Sequence, residues 1–388
     1  MQNTALSNLK VLDFTTLLPG PLATMYLADM GADVLRVTAP NKTDLVDHYG
    51  VIDEEKKLSA TALWLGRNKK TITLNLKKEK SVTAVKKLIM EYDIVIEQFR
   101  PGVMEKLGLS YEVLNKINPK LIYCSMTGYG QTGDNKLKAG HDINYLAKSG
   151  ILSLSGSEEN GPQMLNIQLA DVAGGSLHSI VGILAAVNYR NMTGKGQYID
   201  ISMMDCIIPF NTFEGSDYLY SKNLSKRQNT VFNGSGVYDI YKTKDGKYLT
   251  VGSLEPKFFE QFVNAIEIPD LLKKGPDFRS DEIKNTVKEK IAGKNLYDWM
   301  KIFDKLDCCV EKVMDFEEVF EKDTHNKQRQ ITVEVPNGEN TVRQISMPIK
   351  FSETKPIYRF AGKKVGSDNQ EILSKIGMNE EDILEVTN

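Results

Sequence analysis

The stretch VLDFTTLLPGPLATMYLADMGADVLRV, residues 11–37, decides the fold. It contains a β-rich run, a turn marked by Pro19, Gly20 and Pro21, an apolar helical segment that stops at Gly31, and a second β-rich run. A strand, a helix and a strand in this order form the basic unit of a parallel sheet. The stretch has no GxGxxG pattern, so it predicts a Rossmann-like architecture without the dinucleotide fingerprint.

The same alternation continues through the first 190 residues. Helical patterns cover Pro21 to Met30 and Ser81 to Glu91, and Gly174 to Arg190 is a long, nearly all-apolar helix followed by a turn and a strand. Strands separated by helices predict an α/β protein whose parallel sheet is covered by helices. The predicted strands are Val11 to Phe14, Val34 to Val37, Ile72 to Leu76, Ile94 to Glu97 and Leu121 to Ser125.

The second half of the chain has a different pattern. Residues 213–229 are polar and aromatic, which predicts an exposed connection to a second domain. A β-hairpin follows, with its turn at residues 244–246, and helices continue to about Glu321. Residues 331–354 indicate another short β unit, and a helical tail ends the chain.

Composition argues against several classes of protein. The 388 residues are 41% hydrophobic and 26% charged, as in globular proteins, and the apolar runs are too short for a membrane span. The 49 basic and 51 acidic residues nearly cancel, which disfavours a general nucleic-acid binder. The N-terminus shows no secretory signal, so we expect a cytoplasmic protein. Without a CxxC pair, we expect reduced, mostly structural thiols at Cys124, Cys206, Cys308 and Cys309.

The four histidines differ in their surroundings. His48 and His325 lie in polar segments and are predicted at the surface, whereas His178 lies in the apolar helix, where a hydrogen-bonded core role is expected. His141 stands in AGHDINYLAKSG, after the predicted strand and loop LIYCSMTGYGQTG. This places it at the carboxyl side of the sheet, where α/β enzymes bind ligands.

Two acidic residues are candidates with alternative interpretations. Asp171 precedes the apolar helix and suits an N-cap. It also suits a functional carboxylate, since the small residues 173–175 would let a ligand approach the backbone N–H groups. Glu255 precedes Pro256 at the start of a helix, where an acid is expected on local grounds alone.

Basic residues cluster near the ends of the predicted strands. Arg36 ends one strand, residues 67–70 contain three cations before TITLNLK, and Arg100 follows another strand. Such positions are often only solvated charges. Several that converge would suit the phosphates of a nucleotide-like ligand.

A set of ordered strings resembles the CaiB/BaiF, or class III CoA-transferase, family, with its α-methylacyl-CoA racemase branch. The resemblance runs from about Leu9 to Asp205 and resumes at GVYDIYKTKDGKYLTVGSLEP. Its strings are LPGPLATMYLADMGADVLRV, RNKKTITLNLK, EQFRPGVMEKLGL, AGHDINYLAKSG, LADVAGG and TGKGQYIDISMMD.

The resemblance implies a fold, a ligand and an assembly. It implies a Rossmann-like large domain, residues 1–212 and 335–388, with a smaller inserted α+β domain, residues 213–334, and an interlocked homodimer. It implies an acyl-CoA substrate, with CoA as part of that substrate and no prosthetic group, metal, nucleic acid or membrane involved. The residues that match the family's CoA contacts are Arg36, Leu74, Asn75, Leu76, Lys77, Gln98, Phe99, Arg100, Lys106 and Gly140.

The resemblance also assigns catalytic roles. Asp171 matches the aspartate that transferases use as a nucleophile and racemases as an acid or base. The GHDINY string with His141, and Glu255 in its EP dipeptide, resemble the racemase branch, in which a glutamate supports the histidine. The implied reaction is inversion at the α-carbon of a 2-methyl-branched acyl-CoA, by two-base proton transfer through an enolate that backbone amides near Gly174 and Gly175 would hold.

Two alternatives remain open. The NGSG segment, residues 233–236, is glycine-containing like a loop of some transferases, and the spacing from Asn166 to Asp171 is a residue longer than in racemases. In a transferase, Asp171 would attack the thioester and form a mixed anhydride. The other alternative is a CoA-binding scaffold without catalysis.

Overall fold

The computed structural model describes residues 4–40, 43–234, 236–274 and 280–388, so Ser235 of the NGSG segment lies outside the described residues. Its strands are, in chain order, β1 (Lys10–Phe14), β2 (Asp33–Thr38), β3 (Ile52–Asp53), β4 (Leu58–Ser59), β5 (Lys69–Thr73), β6 (Ile94–Glu97), β7 (Ile122–Thr127), β8 (Tyr198–Ser202), β9 (Asp239–Lys242), β10 (Tyr248–Val251), β11 (Val310–Lys312), β12 (Thr332–Asn337) and β13 (Asn340–Ile345).

Helices lie between most of these strands along the chain, except within the pairs β3–β4, β9–β10 and β12–β13. Short 3₁₀ turns lie at Leu45–His48, Ile208–Phe210 and Val231–Asn233, and π-helical turns at Ala170–Leu177 and Glu318–Lys322. The α-helices are α1 (Pro19–Asp29), α2 (Ala60–Leu65), α3 (Glu79–Ile89), α4 (Val103–Lys106), α5 (Tyr111–Ile117), α6 (Asp142–Lys148), α7 (Ile151–Leu154), α8 (His178–Thr193), α9 (Met203–Ile207), α10 (Thr212–Ser221), α11 (Pro256–Ala265), α12 (Leu271–Lys274), α13 (Asp281–Ile291), α14 (Leu296–Phe303), α15 (Thr324–Gln328), α16 (Asn369–Lys375) and α17 (Glu380–Thr387).

A six-stranded sheet forms the centre of the first half of the chain, in the order β5-β2-β1-β6-β7-β8. Every pairing in it is parallel, and Val11 of the central strand β1 lies between Val34 and Ile94. The predicted α/β class with a parallel sheet is therefore confirmed. All carboxyl ends of the strands lie along one edge, which is where such sheets place their ligands.

The strand predicted at Ile72 to Leu76 lies earlier, at β5 (Lys69–Thr73). Leu74 still donates a backbone hydrogen bond to Thr38, but the next amide, that of Asn75, donates to Val386 of α17. The chain leaves the sheet at this point because a helix from the far end of the sequence supplies the hydrogen-bond partner. The predicted CoA contacts Leu74 to Lys77 thus lie in a loop at the sheet edge.

Helix α1 is buried on almost all of its surface. Proline at its first turn suits a helix start because the missing N–H has no partner to lose there. Gly31 follows its end with φ +106°, and a Cβ at that position would lie 1.7 Å from Thr4 Oγ1. Gly31 is therefore required both by backbone conformation and by packing, as the predicted helix stop implies.

The apolar helix predicted at Gly174 to Arg190 begins earlier, as a π-helical turn that continues into α8. The combined stretch Ala170–Thr193 is long and apolar enough to cross a membrane, a test that core helices of soluble proteins also pass. One of its faces packs on the sheet: a Cβ on Gly182 would lie 3.2 Å from Ile199 of β8. This packing fits a core helix.

The predicted connection at residues 213–229 is wrong in part, because Thr212–Ser221 form helix α10. No residue of α10 is buried. The segment is exposed as expected, yet it is helical, and Lys222 ends it in a left-handed conformation with φ 64°. A helix is recognised in a sequence by the spacing of the apolar residues on its buried face. Helix α10 buries no face within its own unit, so the sequence gives no such signal.

Spatial contacts divide the chain into two compact units. The predicted hairpin is β9–β10 in the second unit, and the other predicted β unit is the antiparallel pair β12–β13 in the first. The second unit has its own apolar core around Trp299 and Phe262. Residues 150–166, predicted with the large domain, pack with the second unit, where Arg227 Nε donates a 2.9 Å hydrogen bond to the Ser155 carbonyl. The first unit is Met1–Ser149, Ile167–Pro209 and Lys327–Asn388, and the second is Gly150–Asn166 and Phe210–Asn326.

Candidate active site

A π-helical turn at Ala170–Leu177 positions Asp171. The Ser176 hydroxyl donates a 2.6 Å hydrogen bond to the carbonyl of Pro19 at the start of α1, and it also lies 3.2 Å from the Asp171 carbonyl. Widened turns of this kind are rare and recur at functional sites. The turn is therefore held by the first βα unit of the sheet.

Gly174 and Gly175 are buried within this turn. A Cβ on Gly174 would lie 2.7 Å from the Met203 carbonyl, and one on Gly175 would lie 3.0 Å from both Met126 Sδ and Pro19 Cβ. The two glycines are explained by close packing of the turn against α1, β7 and α9. Their expected role in holding an enolate through backbone amides stays a prediction.

Asp142 connects the segment that carries His141 with the turn that carries Asp171. It is the first residue of α6 and is buried, and its Oδ1 accepts hydrogen bonds from the amides of Ala170 at 2.6 Å and Asp171 at 3.0 Å. The interpretation of Asp171 as an N-cap is therefore wrong. Asp142, from a different segment, satisfies those amides, which leaves the Asp171 side chain available for other chemistry.

The carboxyl group of Asp171 is strongly perturbed. Burial and, as the smaller cause, the negative charge of Asp142 together raise its pKa to about 7. The charge of Asp171 in turn adds to the effect of burial in raising the pKa of Tyr145 to about 12. Near neutral pH, Asp171 therefore exchanges protons readily, whereas Tyr145 remains protonated.

His141 is exposed and immediately precedes α6. Its backbone N–H donates a 3.0 Å hydrogen bond to Asn144 Oδ1, and the Tyr145 hydroxyl donates a 2.6 Å hydrogen bond to the carbonyl of Gly140. A Cβ on Gly140 would lie 2.7 Å from the Tyr145 ring. Gly140 is thus needed for close approach of the ring, and the backbone around His141 is fixed from both sides.

The structure therefore brings together the segments of two predicted catalytic residues, His141 and Asp171. Glu255 belongs to the second compact unit. There it is exposed and immediately precedes α11, without capping that helix through its side chain. The acid at this position fits the local interpretation, since a negative charge is favourable at a helix start.

A cavity of about 480 Å³ opens at the carboxyl ends of β1, β2 and β5. Of the predicted CoA contacts, Arg36, Phe99 and the loop at residues 74–77 line it. The other lining residues are Phe14, Thr16, Leu17, Val37, Thr38, Ala39, Thr43, Asp44, Leu45, Asp47, Val103, Leu107 and Val365. Its position is the one that the parallel sheet predicts for a ligand.

The remaining predicted CoA contacts lie elsewhere in the described chain. Gln98 accepts a 3.3 Å hydrogen bond from the Gly20 amide at the start of α1, and Arg100 lines a separate cavity of about 250 Å³ beside Glu97. Lys106 is exposed at the end of α4. Gly140 lies beside Tyr145, as described above.

Sequence reasoning missed Asp142, the π-helical turn and the apolar walls of the larger cavity. The walls carry a usable signal, since Phe14 and Val37 are the last apolar residues of predicted parallel strands. Asp142 carries none, because an acid in a first helical turn is common. His48 and His325 are exposed as predicted. His178 is hydrogen-bonded as predicted, with Nδ1 2.6 Å from the Ala173 carbonyl, but it is half-buried and not in the core.

Comparisons with known proteins give one consistent family. The sequence model of CoA-transferase family III matches residues 6–369. The chain is 37% identical to human "Alpha-methylacyl-CoA racemase", over 98% of this chain and 96% of that protein. It is 35% identical to mouse "Succinyl-CoA:glutarate CoA-transferase", over 69% of this chain and 61% of that protein. A crystal structure of a CaiB/BaiF family protein from Brucella suis matches with a TM-score of 0.84 and 28% identity, covering 97% of this chain and 100% of that one.

Proposed function

Because the chain belongs to CoA-transferase family III, we propose that it is a racemase that inverts the α-carbon of a 2-methyl-branched acyl-CoA. The α-proton of a thioester is weakly acidic, so inversion needs a base on one face of the carbon and an acid on the other. His141 and Asp171 are the proposed pair, and they exchange roles between the two directions of the reaction.

The observation that carries the proposal is the state of Asp171. A carboxyl group with a pKa of about 7 can both accept and donate a proton near neutral pH, whereas an ordinary aspartate is a weak base and almost never an acid there. The hydrogen bond from its amide to Asp142 ties this group to the residue next to His141. Proton-transfer groups on two separate chain segments suit attack from two faces.

The cavity at the sheet edge is proposed to hold the nucleotide end of CoA. Its walls are largely apolar, with Phe14, Leu74 and Phe99 among them, and this suits a purine base. Arg36 and Lys77 add two cations, which suits phosphate groups. The role of Glu255 in orienting the histidine stays a prediction from the resemblance.

Deuterium exchange tests the reaction directly. Incubated in D₂O with a single enantiomer of a 2-methylacyl-CoA and no other acid, the enzyme should form the opposite enantiomer carrying deuterium at the α-carbon. The variant His141→Ala should lose this activity by about 10² to 10⁴-fold. An absence of deuterium uptake with a panel of branched acyl-CoAs would overturn the proposal.

The alternative function is CoA transfer between carboxylic acids, favoured by the family description and by the transferases among the relatives. In that reaction the Asp171 carboxylate attacks the thioester carbon, the C–S bond breaks, and a mixed anhydride and the CoA thiolate form. Turnover would require an acceptor acid, and hydroxylamine would trap the acyl group at Asp171. The racemase requires neither. Binding of CoA with neither exchange nor transfer would instead indicate a scaffold.

The implied homodimer is also a proposal, supported by an apolar face on α8. Val181 is 65% exposed and Met192 is 71% exposed, and together with Leu177, Ala185 and Tyr189 they follow a helical spacing of three to four residues. Exposed apolar stripes of this kind mark association surfaces. Sedimentation of wild type and of Val181→Asp tests it: the dimer should dissociate, and a wild-type monomer would contradict the proposal.

A further inference from the structure

Asp142 occupies a position that the assigned roles do not explain. It is the first residue of α6, the residue is 9% exposed, and it directly follows His141 in the sequence. Its Oδ1 accepts both hydrogen bonds from the turn that carries Asp171. A buried carboxylate is costly unless hydrogen bonds compensate for the lost water, so these two bonds fix where the turn begins.

The two hydrogen bonds connect the proposed proton-transfer groups by a short path. From the Asp171 backbone the path runs through one hydrogen bond to the Asp142 carboxylate, and from there along one residue of backbone to His141. Small errors in the position of a catalytic group are expensive, since a displacement of about 1 Å reduces a rate by about 10²-fold. A rigid link of this length is therefore mechanistically useful.

We propose that Asp142 is a positioning residue for the proton transfer, which sets the Asp171 carboxyl relative to His141 through its two hydrogen bonds to the turn. From this position its negative charge also acts on Asp171. This inference rests on the racemase function proposed above. Asp142 does not itself touch the substrate in this proposal. It acts on the reaction through Asp171.

Other ionisable groups also lie on the elements around the turn that carries Asp171. Among the described residues, Asp142 is the group whose charge acts on the pKa of Asp171 beyond the effect of burial. The other ionisable residues on the elements that pack against the turn are Tyr26 and Asp29 on α1, Tyr145 and Lys148 on α6, His178, Tyr189 and Arg190 on α8, Asp205 and Cys206 on α9, and Tyr198 and Asp200 on β8.

The test compares three variants of the full-length enzyme. Asp142→Asn keeps an oxygen acceptor and removes the charge, whereas Asp142→Ala removes both. Asp205→Asn is the matched control, since Asp205 is an exposed acid on α9, which packs against the same turn. Carbon-13 NMR of labelled aspartate follows the titration of Asp171, with the signal assigned by its loss in Asp171→Asn.

In Asp142→Asn the titration midpoint of Asp171 should fall by about one pH unit, since a nearby like charge is removed. In the pH profile of kcat/KM, the inflection that reflects ionisation of Asp171 should shift by the same amount. The maximal rate should fall only modestly. Asp142→Ala should show the same shift together with a loss of about 10²-fold in kcat. Asp205→Asn should leave the midpoint unchanged.

An unchanged midpoint in a folded Asp142→Asn protein would overturn the charge effect, and full activity of Asp142→Ala would overturn the positioning role. If the variants do not fold, the wild type decides, because the Asp142 signal should then show a second inflection at the Asp171 midpoint. The NMR titration needs no substrate. A midpoint shift in an enzyme without exchange activity would therefore reject the racemase function and leave the effect of Asp142 on Asp171 established.

Discussion

The guanidinium of Arg36 donates a 3.0 Å hydrogen bond to the carboxylate of Asp44 at the wall of the larger cavity. Only 13% of the Arg36 side chain is exposed, and its Nε is buried without a partner among the described residues. Asp44 also accepts a 2.9 Å hydrogen bond from the Leu17 amide, so two donors fix the position of its carboxylate. The pair therefore presents a fixed cation at the ligand site with little freedom to lose on binding.

Replacing Arg36 by methionine should weaken CoA binding by about 10 to 100-fold, because hydrogen bonds between charged groups contribute about 1.5 to 3 kcal/mol. Asp44 keeps its bond from Leu17, which limits the damage to the fold. Calorimetry with CoA measures the effect. Arg329→Met, at an exposed arginine, is the control and should bind as the wild type does. Equal affinities of both variants would remove the cavity as the CoA site.

The two proposed bases predict different residual activities. In His141→Ala, Asp171 can still remove and return a proton on its own face, so one enantiomer should exchange deuterium with retention while inversion is lost. In Asp171→Asn, His141 remains, so the other enantiomer should exchange deuterium with retention and inversion should again be lost. Chiral separation of the products after incubation in D₂O distinguishes them. If both variants exchange deuterium into the same enantiomer, the two residues do not act on opposite faces of the α-carbon.

The raised pKa of Asp171 predicts a cost in stability that depends on pH. Because burial and the charge of Asp142 together raise the pKa from 3.8 to about 7, folding favours the protonated form, and stability falls as pH rises from about 4 to 7. At pH 8, Asp171→Asn should therefore unfold with a free energy about 2 kcal/mol higher than the wild type, a value below the full conversion of the shift since the residue is only partly buried.

Urea unfolding at pH 8 and at pH 4 measures this difference, which should nearly vanish at the lower pH. A destabilised variant at pH 8 would mean that the ionised carboxylate is well accommodated in the fold. Asp171 would then be a weak proton donor for the proposed reaction.

The sequence predicts the parallel sheet because strands with apolar ends and their helices each leave a local pattern. Ile94 to Glu97 is found at the predicted bounds. Residues fixed by distant partners leave no such pattern. The chain leaves the sheet after Leu74, because the next amide, that of Asn75, donates its hydrogen bond to Val386 of α17. Asp142 is recognisable as a cap only once the Ala170 amide is beside it. The roles of His141 and Asp171 come from resemblance, and position alone would not assign them.

A buried ion pair joins α1 to the loop before β5 and predicts an asymmetric response to mutation. Arg67 and Asp29 are both fully buried, with Nε 2.9 Å from Oδ1 and Nη2 2.5 Å from Oδ2, and Arg67 Nη1 donates a 2.6 Å bond to the Ile345 carbonyl. Asp29→Leu should cost about 3 to 5 kcal/mol, because the guanidinium then remains buried without its counter-charge.

The double variant Asp29→Leu with Arg67→Met should recover a large part of that loss, since it removes both charges. The remaining loss comes from packing, from the bonds of Arg67 to Ile345 and Gln344, and from the 2.8 Å bond that Asn68 donates to Asp29. The exposed pair Lys273 and Asp270, each 81% exposed, is the control, and Asp270→Ala should cost less than about 1 kcal/mol. Urea unfolding of the wild type, Asp29→Leu, Arg67→Met and the double variant gives the coupling energy. Additive losses at Arg67 and Asp29 would mean that the two charges are stabilised independently, and the pair would then not be what holds α1 against the sheet.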